Sequence, residues 1–222
     1  MKTFSLTIPV HYLEHPMRYT RYQNYSNLLR QYRKENIVFC QHYPVVTTGI
    51  QTNPNSLLIS SQEFANLGID LVSVKRGGDA TAHEIGQIVI YPHIDLRKRK
   101  IHLSEFIRVL FDISANTVLN LYGLNLFKDT DAPGLYNING EKIVSIGVEI
   151  RAGFSSSGIA INYSNSLKTF SFIHPCGYSD LKMKTLIKPK TEKKNDLELE
   201  SKKKEFCLLW ADQFIQRFSL YR

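Results

Sequence analysis

Leu135-Tyr136-Asn137-Ile138-Asn139-Gly140-Glu141-Lys142-Ile143-Val144-Ser145-Ile146-Gly147-Val148-Glu149-Ile150 contains two β-like runs with Asn139-Gly140 between them. Both residues of that dipeptide tolerate positive φ, so it predicts a hairpin between residues 135–138 and 141–150. A third extended segment, Ser157 to Tyr163, follows. This half of the chain therefore contributes antiparallel strands rather than only strand–helix–strand units. Lys142 falls just past the turn.

Working outward toward the N-terminus, Phe4 to Val10 alternates like an opening strand, and Arg18 to Lys34 places Tyr22, Tyr25, Leu29 and Tyr32 at helical spacing. Asn36 to Cys40 reads as a buried strand, and His42-Tyr43-Pro44 turns the chain toward Thr47-Thr48-Gly49. Ser61 to Gly68 predicts a short helix with a glycine stop. The strand Ile69 to Val74 then runs into Arg76-Gly77-Gly78, and Gln87 to Tyr91 resumes extended structure before Pro92. Ser104 to Tyr122 carries Phe106, Leu110, Ile113, Val118 and Leu119 at near-helical spacing and ends at Gly123, the clearest long helix. Beyond the hairpin, Lys188 to Asn195 is a charged connection, and a last helix carries Leu197, Phe206, Leu209, Phe214 and Phe218. With no repeat and no domain boundary, residues 1–222 are expected to form one α/β (α+β) domain, helices packed on largely antiparallel sheets.

The chain has 222 residues, 43% hydrophobic and 22% charged, the composition of a globular protein. No apolar run approaches the roughly 18–20 residues that span a bilayer, so no membrane partner is expected. Met1 to Val10 lacks a sustained apolar run and a small-residue cleavage site, which points to a cytoplasmic address. Three cysteines are too few for a disulfide framework and fit free thiols in a reducing compartment. The net charge of +8 is concentrated between Lys182 and Lys204, where nine lysines face Glu192, Asp196, Glu198 and Glu200, a net +5. That segment is either a solvated loop and polar helix face or a surface that steers an acidic protein. Nucleic acid is disfavoured, because no aromatic residues interleave with the lysines.

Cys40 and Cys207 lie in apolar runs, where a thiol serves as a small buried hydrophobe. Cys176 differs: His174-Pro175-Cys176-Gly177 is a rigid and then permissive turn that can expose a thiol. A helix beginning at Ser179-Asp180-Leu181 would favour its thiolate through the helix dipole. Both a structural turn cysteine and a nucleophile remain open. Arg76-Gly77-Gly78-Asp79-Ala80-Thr81-Ala82-His83-Glu84-Ile85-Gly86-Gln87 joins two strands with three glycines. It is either an ordinary connection or a cradle of main-chain N–H groups for an oxyanion or acyl carbonyl. It matches neither a phosphate loop nor a dinucleotide fingerprint. His83 and Glu84 have no further ligand at zinc spacing, so no metal is expected. Lys142 reads as a lysine at a hairpin edge, or, with Cys176 close in space, as an ammonium that lowers the thiol pKa and relays a proton.

The ordered set Arg76-Gly77-Gly78, His83, Gly86-Gln87, Pro133-Gly134-Leu135-Tyr136, Lys142 to Gly147, Gly158 to Asn162 and Pro175-Cys176-Gly177 resembles the octanoyl-acyl-carrier-protein:protein N-octanoyltransferases, the lipoyl(octanoyl) transferase or lipoate-protein ligase B family. The match covers most of the chain. The resemblance implies the biotin/lipoate protein ligase fold and a Cys176/Lys142 dyad. It further implies an acyl pocket lined by Arg76, Gly77, Gly78, Asp79, Ala80, Thr81, Ala82 and His83, by Ser145, Ile146 and Gly147, and by Gly158, Ile159 and Ala160. Its implied activity is transfer of octanoyl or lipoyl from acyl carrier protein to a lysine of lipoyl domains, in E2 subunits and the glycine cleavage H protein. A Cys acyl-enzyme in a monomer, without cofactor, would carry that transfer. The chain departs from the family at Asp79, Ala82, Glu84 and Ile85, and has Ser157 where a histidine usually precedes the glycine. Three alternatives are an amidotransferase of the same fold, an ATP-dependent lipoate ligase, whose Arg-Arg-x-x-Gly-Gly-Gly motif this chain lacks, and a noncatalytic acyl-carrier-binding protein.

Overall fold

The computed structural model describes residues 8–129, 132–188 and 196–221. In chain order the elements are β1 (Val10–Tyr12), α1 (Tyr19–Gln31), β2 (Asn36–Cys40), β3 (Val45–Thr48), α2 (Ser61–Asn66), β4 (Asp70–Ser73) and β5 (Thr81–His83). These are followed by β6 (Ile88–His93), α3 (Leu103–Tyr122), β7 (Phe127–Lys128), β8 (Gly134–Tyr136), β9 (Lys142–Arg151), β10 (Phe154–Ile161) and α4 (Asp196–Ser219). Seven strands form the main sheet in the order β1-β2-β6-β10-β9-β8-β7, and β4-β3-β5 form a smaller one. Among the described residues β1–β2 and β3–β4 pair in parallel, and the other strand pairs are antiparallel.

Side-chain alternation assigns the two faces of the main sheet. Ile37 and Phe39 of β2 and Ile88 and Ile90 of β6 join the apolar faces of α3 and α4, with Phe106, Leu110, Trp210 and Phe214 at the centre. Their neighbours Val38, Cys40, Val89 and Tyr91 point the other way, beneath Tyr19 and Tyr22 of α1. A third cluster, with Val46, Phe64, Ala82 and Phe170, holds the small sheet against the chain that leads to Cys176. Gly123 ends α3 in the left-handed conformation at φ 64°, as its position after the last periodic residue predicts.

Several elements depart from the sequence reading. Residues 4–7 of the expected opening strand lie outside the described residues, and the first described strand starts at Val10. The Asn139-Gly140 turn closes through Asn137, whose carbonyl accepts from Gly140 N at 3.0 Å and whose Oδ1 accepts from Asn139 N and Glu141 N. Gly140 takes the positive φ of 72°. The strand expected to stop before Pro92 continues to His93, and the ladder to β10 is interrupted opposite that proline. Its last register pair with β6 is Ile159 with Ile90, and the Ser155 hydroxyl donates to Pro92 O at 2.7 Å. Proline's missing donor is then harmless. The loop after Arg76 contains β5, a strand too short to announce itself by periodicity. Leu197, expected on the buried face of the last helix, is exposed.

Glu84, one of the departures from the family pattern, is buried and braces the segment after β10. It accepts from Asn165 Nδ2 (3.0 Å), Ser166 Oγ (3.2 Å), Leu167 N, Thr169 N (3.0 Å) and Thr169 Oγ1 (2.7 Å). Removing the acceptor strands several donors out of water. Glu84→Ala is expected to destabilise the fold by about 2–4 kcal/mol in urea unfolding, against about 1 kcal/mol for Thr169→Val, which removes one hydroxyl bond.

Candidate active site

Lys142 opens β9 but is fully buried, which overturns its reading as an edge lysine. The edge is covered: Lys142 N donates to Lys182 O at 2.8 Å and Lys184 N donates to Lys142 O at 2.9 Å, so residues 182–184 run beside it as a strap. The ammonium donates to Pro133 O at 2.8 Å and to Cys176 Sγ at 3.2 Å, and sits 5.5 Å from the Tyr136 ring centroid. Gly134 makes room for it, since a Cβ there would lie 2.3 Å from Lys142 Cε.

Cys176 lies in a 3-10 turn, Pro175–Gly177, with φ 59° and ψ 17°. Left-handed backbone at a non-glycine residue is uncommon, and it is pinned here by Cys176 N donating to Ala80 O at 3.1 Å. Gly177 follows at φ 82°, where a Cβ would meet Asp79 Oδ2 at 2.7 Å. Ser179 and Asp180 form a turn and Leu181 is irregular, not the helix considered from the sequence, so no helix begins there to act on this thiol. Cys40 and Cys207 are buried, and burial pushes both thiols well up. Cys176 is the half-exposed one.

The thiol opens on a cavity of about 630 Å³. Arg76 to Thr81 and His83 line it, as do Ser145, Ile146, Gly147, Gly158, Ile159 and Ala160. Ala82 does not: in the alternation of β5 it points into the cluster of Val46 and Phe170. The glycine amides are not a free cradle either. Gly77 N donates to Val148 O at 3.3 Å and Gly78 N to Gln51 Oε1 at 3.1 Å. Arg76 is instead the conspicuous donor. It is buried, its Nη2 holds Thr47 O and Oγ1 at 2.9 Å, its Nη1 holds Gly77 O, and its Nε has no partner. Burial pulls its pKa below the ordinary arginine value. Gly147 is required beneath it, because a Cβ there would lie 2.8 Å from Arg76 Cδ.

Sequence reasoning missed Tyr19, Tyr91 and Val89, which wall the cavity from α1 and β6, and Leu103, Ile107 and Phe111 of α3, which rim its open side. The last three recur at i, i+4 and i+8, one stripe of the helix, but the same spacing also reads as core. Three buried histidines lie at the cavity wall, His83 in its lining and His42 and His93 behind it. His83 Nδ1 donates to Gln87 Oε1 at 3.1 Å, His42 Nδ1 donates to Met17 O at 3.0 Å, and the Tyr91 hydroxyl donates to His42 Nε2 at 2.8 Å. His93 meets Ser26 Oγ at 3.1 Å. Among the described residues no cluster of three or more His, Cys, Asp or Glu side chains could hold a metal ion, and no helix is long and apolar enough to cross a membrane.

The class follows from the domain that contains this site: residues 19–204 match the lipoyl protein ligase A/B catalytic domain. An octanoyltransferase of Leptospira interrogans serogroup Icterohaemorrhagiae serovar copenhageni (strain Fiocruz L1-130) is 44% identical over 161 residues, 72% of this chain and 74% of that one. The chain belongs to the octanoyltransferases of this family, which are acyltransferases. Its fold is that of the lipoate ligases. A solved lipoate-protein ligase A bound with ATP superposes with a TM-score of 0.70 at 14% identity, covering 94% of this chain and 86% of that one. A bi-partite lipoate protein ligase from Thermoplasma acidophilum, described with its E2 lipoyl domain, superposes at 0.63 and 16% identity, covering 94% and 82%.

Burial lowers the pKa of His42 to about 4, of His83 to about 3 and of His93 to about 4, from 6.5. A depressed folded pKa means that the unfolded chain takes up these protons first as pH falls. The stabilisation is complete above about pH 6.5 and is lost progressively toward pH 3–4. At about 1.4 kcal/mol per pKa unit, the urea midpoint is expected to drop measurably from pH 7 to pH 5. His83→Gln should flatten that slope by up to about one proton.

Proposed function

We propose that the chain carries an octanoyl group from the thioester of acyl carrier protein to a lysine of a lipoyl domain, through an acyl-enzyme on Cys176. The observation that carries this reading is the Lys142 ammonium 3.2 Å from Cys176 Sγ at the mouth of an acyl-sized cavity. A positive charge held against the sulfur stabilises negative charge on it. In the first step the Cys176 thiolate attacks the thioester carbonyl, a tetrahedral oxyanion forms, and the carrier leaves as its thiol after taking a proton. In the second step a lysine amine attacks the Cys176 thioester. The new C–N bond forms, the C–S bond breaks, and the amine proton passes to the departing thiolate, with Lys142 as relay. Lys142 and the unpartnered Arg76 Nε are the donors to the oxyanion, in place of the engaged glycine amides. The incoming thioester is already activated, so the reaction needs no nucleotide. Lipoyl domains of E2 subunits and the glycine cleavage H protein are the acceptors in this reading, in keeping with the archaeal ligase described with its E2 lipoyl domain.

Octanoyl carrier protein mixed with the enzyme alone is expected to leave a hydroxylamine-labile adduct on the Cys176 peptide by mass spectrometry. Adding a lipoyl domain without ATP should then give its octanoyl-lysine form. Cys176→Ala should abolish both. Lys142→Ala should lower kcat/KM about 10²–10³-fold, the cost of losing one electrostatic donor. An adduct on Cys40 or Cys207, or full turnover by Cys176→Ala, would refute the route through Cys176.

The strap beside Lys142 carries Lys182 and Lys184, and Lys188 follows it; all three are exposed. On α4, farther from the site, Lys202 pairs with Glu198, Lys203 is buried against Glu200 and Lys204 is exposed. Residues 189–195 lie outside the described residues. Steering of an acidic carrier is therefore assigned to the strap. Lys182→Gln with Lys188→Gln is expected to raise KM for the carrier several-fold at low salt, less at high salt, with kcat nearly constant.

A further inference from the structure

A separate chamber of about 230 Å³ lies beyond the acyl cavity, with Tyr19 and Ser157 as the wall the two share. Residues of α1, the end of β4, β9 and β10 line it.

Strand register explains why its floor is polar. Past the interruption at Pro92 the β6–β10 register resumes, with Asp95 bridging Phe154, and it sets Ser156 level with His93. Asn36 pairs with His93 on one side, and Glu149 pairs with Ser156 on the other. Four neighbouring strands thus lay Asn36, His93, Ser156 and Glu149 in one row beneath α1, on the face that carries Val38, Val89 and Tyr91 farther along. The first three are buried, and each keeps one polar atom without a partner: Asn36 Oδ1, His93 Nδ1 and Ser156 Oγ. Buried polar atoms are almost always satisfied, so this row calls for a polar occupant. Ser156, 4% exposed, is the member of the three that opens on the chamber.

Charge selects the occupant. Arg30, Lys75 and Arg151 line the chamber against a single carboxylate, Glu149. Arg30 gives one bond to Asn27 Oδ1 at 2.8 Å, but its guanidinium stands 4.0 Å from Glu149, at the outer limit of an ion pair. Three cations against one carboxylate repel a metal ion and attract an anion. A guanidinium fork beside a hydroxyl matches the oxygens of a carboxylate or phosphate. The chamber has room for such a group, since a water takes up only about 30 Å³. We infer that this chamber is a binding site for a small oxyanion, held by Arg30 and the Ser156 hydroxyl, with the exposed Lys75 and Arg151 at its rim. It lies across the Tyr19–Ser157 wall from the acyl cavity and does not depend on the acyl-enzyme reading.

The test titrates inorganic phosphate and acetate separately into the full chain by calorimetry, with chloride holding the ionic strength constant. Saturable single-site binding is expected, and the tighter of the two ions shows whether a phosphate or a carboxylate is the class the site prefers. Ser156→Ala and Arg30→Gln should each weaken binding about tenfold, because each removes a hydrogen bond to a charged group. Glu149→Gln removes the carboxylate that repels the ion and should tighten binding several-fold, a gain that a destabilised chain would not show. If neither ion binds beyond the chloride control, water alone satisfies Ser156 and the inference is overturned. It is overturned equally if Ser156→Ala or Arg30→Gln binds as the wild type does, or if Glu149→Gln fails to tighten binding, since the ion then sits on surface lysines elsewhere.

Discussion

Burying the Lys142 ammonium is the constraint around which the site is arranged. Taking a lysine out of water costs several kcal/mol unless its donors find partners, and here the partners are Pro133 O and the Cys176 sulfur. Each neighbouring feature follows from that demand. Gly134 cannot carry a side chain without striking Lys142 Cε. The strap at residues 182–184 closes the strand edge that would let water in. The left-handed turn at Cys176, tied to Ala80 O, points the sulfur at the amine. Strain at one residue is the cost of bringing together two groups from distant parts of the chain.

The loop at Arg76 answers to a similar demand. A buried guanidinium without a carboxylate must be satisfied by carbonyls and hydroxyls, and Thr47 and Gly77 provide them. Gly77 N, donating to Val148 O of β9, ties this loop to the main sheet and fixes the cavity wall. The glycines of this loop serve close approach. Gly49 faces Gly78 O, where a Cβ would come within 2.2 Å, and the amides of Gly77 and Gly78 are spent on the scaffold. The nearby histidines add no charge near neutral pH, since burial keeps them neutral. Arg76 and Lys142 are therefore the cations near the thiol, with Asp79 the carboxylate that lines the same cavity.

What was legible in the sequence was what short-range physics controls. The hairpin at Asn139-Gly140, the long helix ending at Gly123 and the buried strand at Asn36 to Cys40 all follow from turn chemistry or periodicity, and all three form. The unusual setting of Cys176 was legible from Pro175 and Gly177. The burial of Lys142 was not, because it depends on a strap forty residues later that no local pattern announces. The run through Pro92 depends on an interruption of the ladder to β10, where the Ser155 hydroxyl bonds Pro92 O instead. Glu84 looked like a loop carboxylate, yet its five donors come from residues 165–169. Ala82 fell on the wrong side because β5 was too short to show its alternation.

The same fold houses an ATP-bound lipoate ligase, and the contrast clarifies what this cavity must supply. A ligase must activate a carboxylate, which requires binding a nucleotide and aligning its phosphates. A chain that receives a thioester needs only a nucleophile of comparable leaving ability, a charge to steady the intermediate and a dry slot for the acyl tail. Cysteine meets the first need, since thioester exchange between two thiols is close to balanced. The final amide is far more stable than either thioester, so the overall transfer runs downhill. The protein's task in the proposed reaction is then to keep water from the acyl-enzyme until an amine arrives. A nucleophile at the mouth of an apolar slot, with its cation buried behind it, meets that requirement: the tail plugs the cavity that water would otherwise enter, and the thioester carbonyl is presented at the opening where a flexible lysine can reach it.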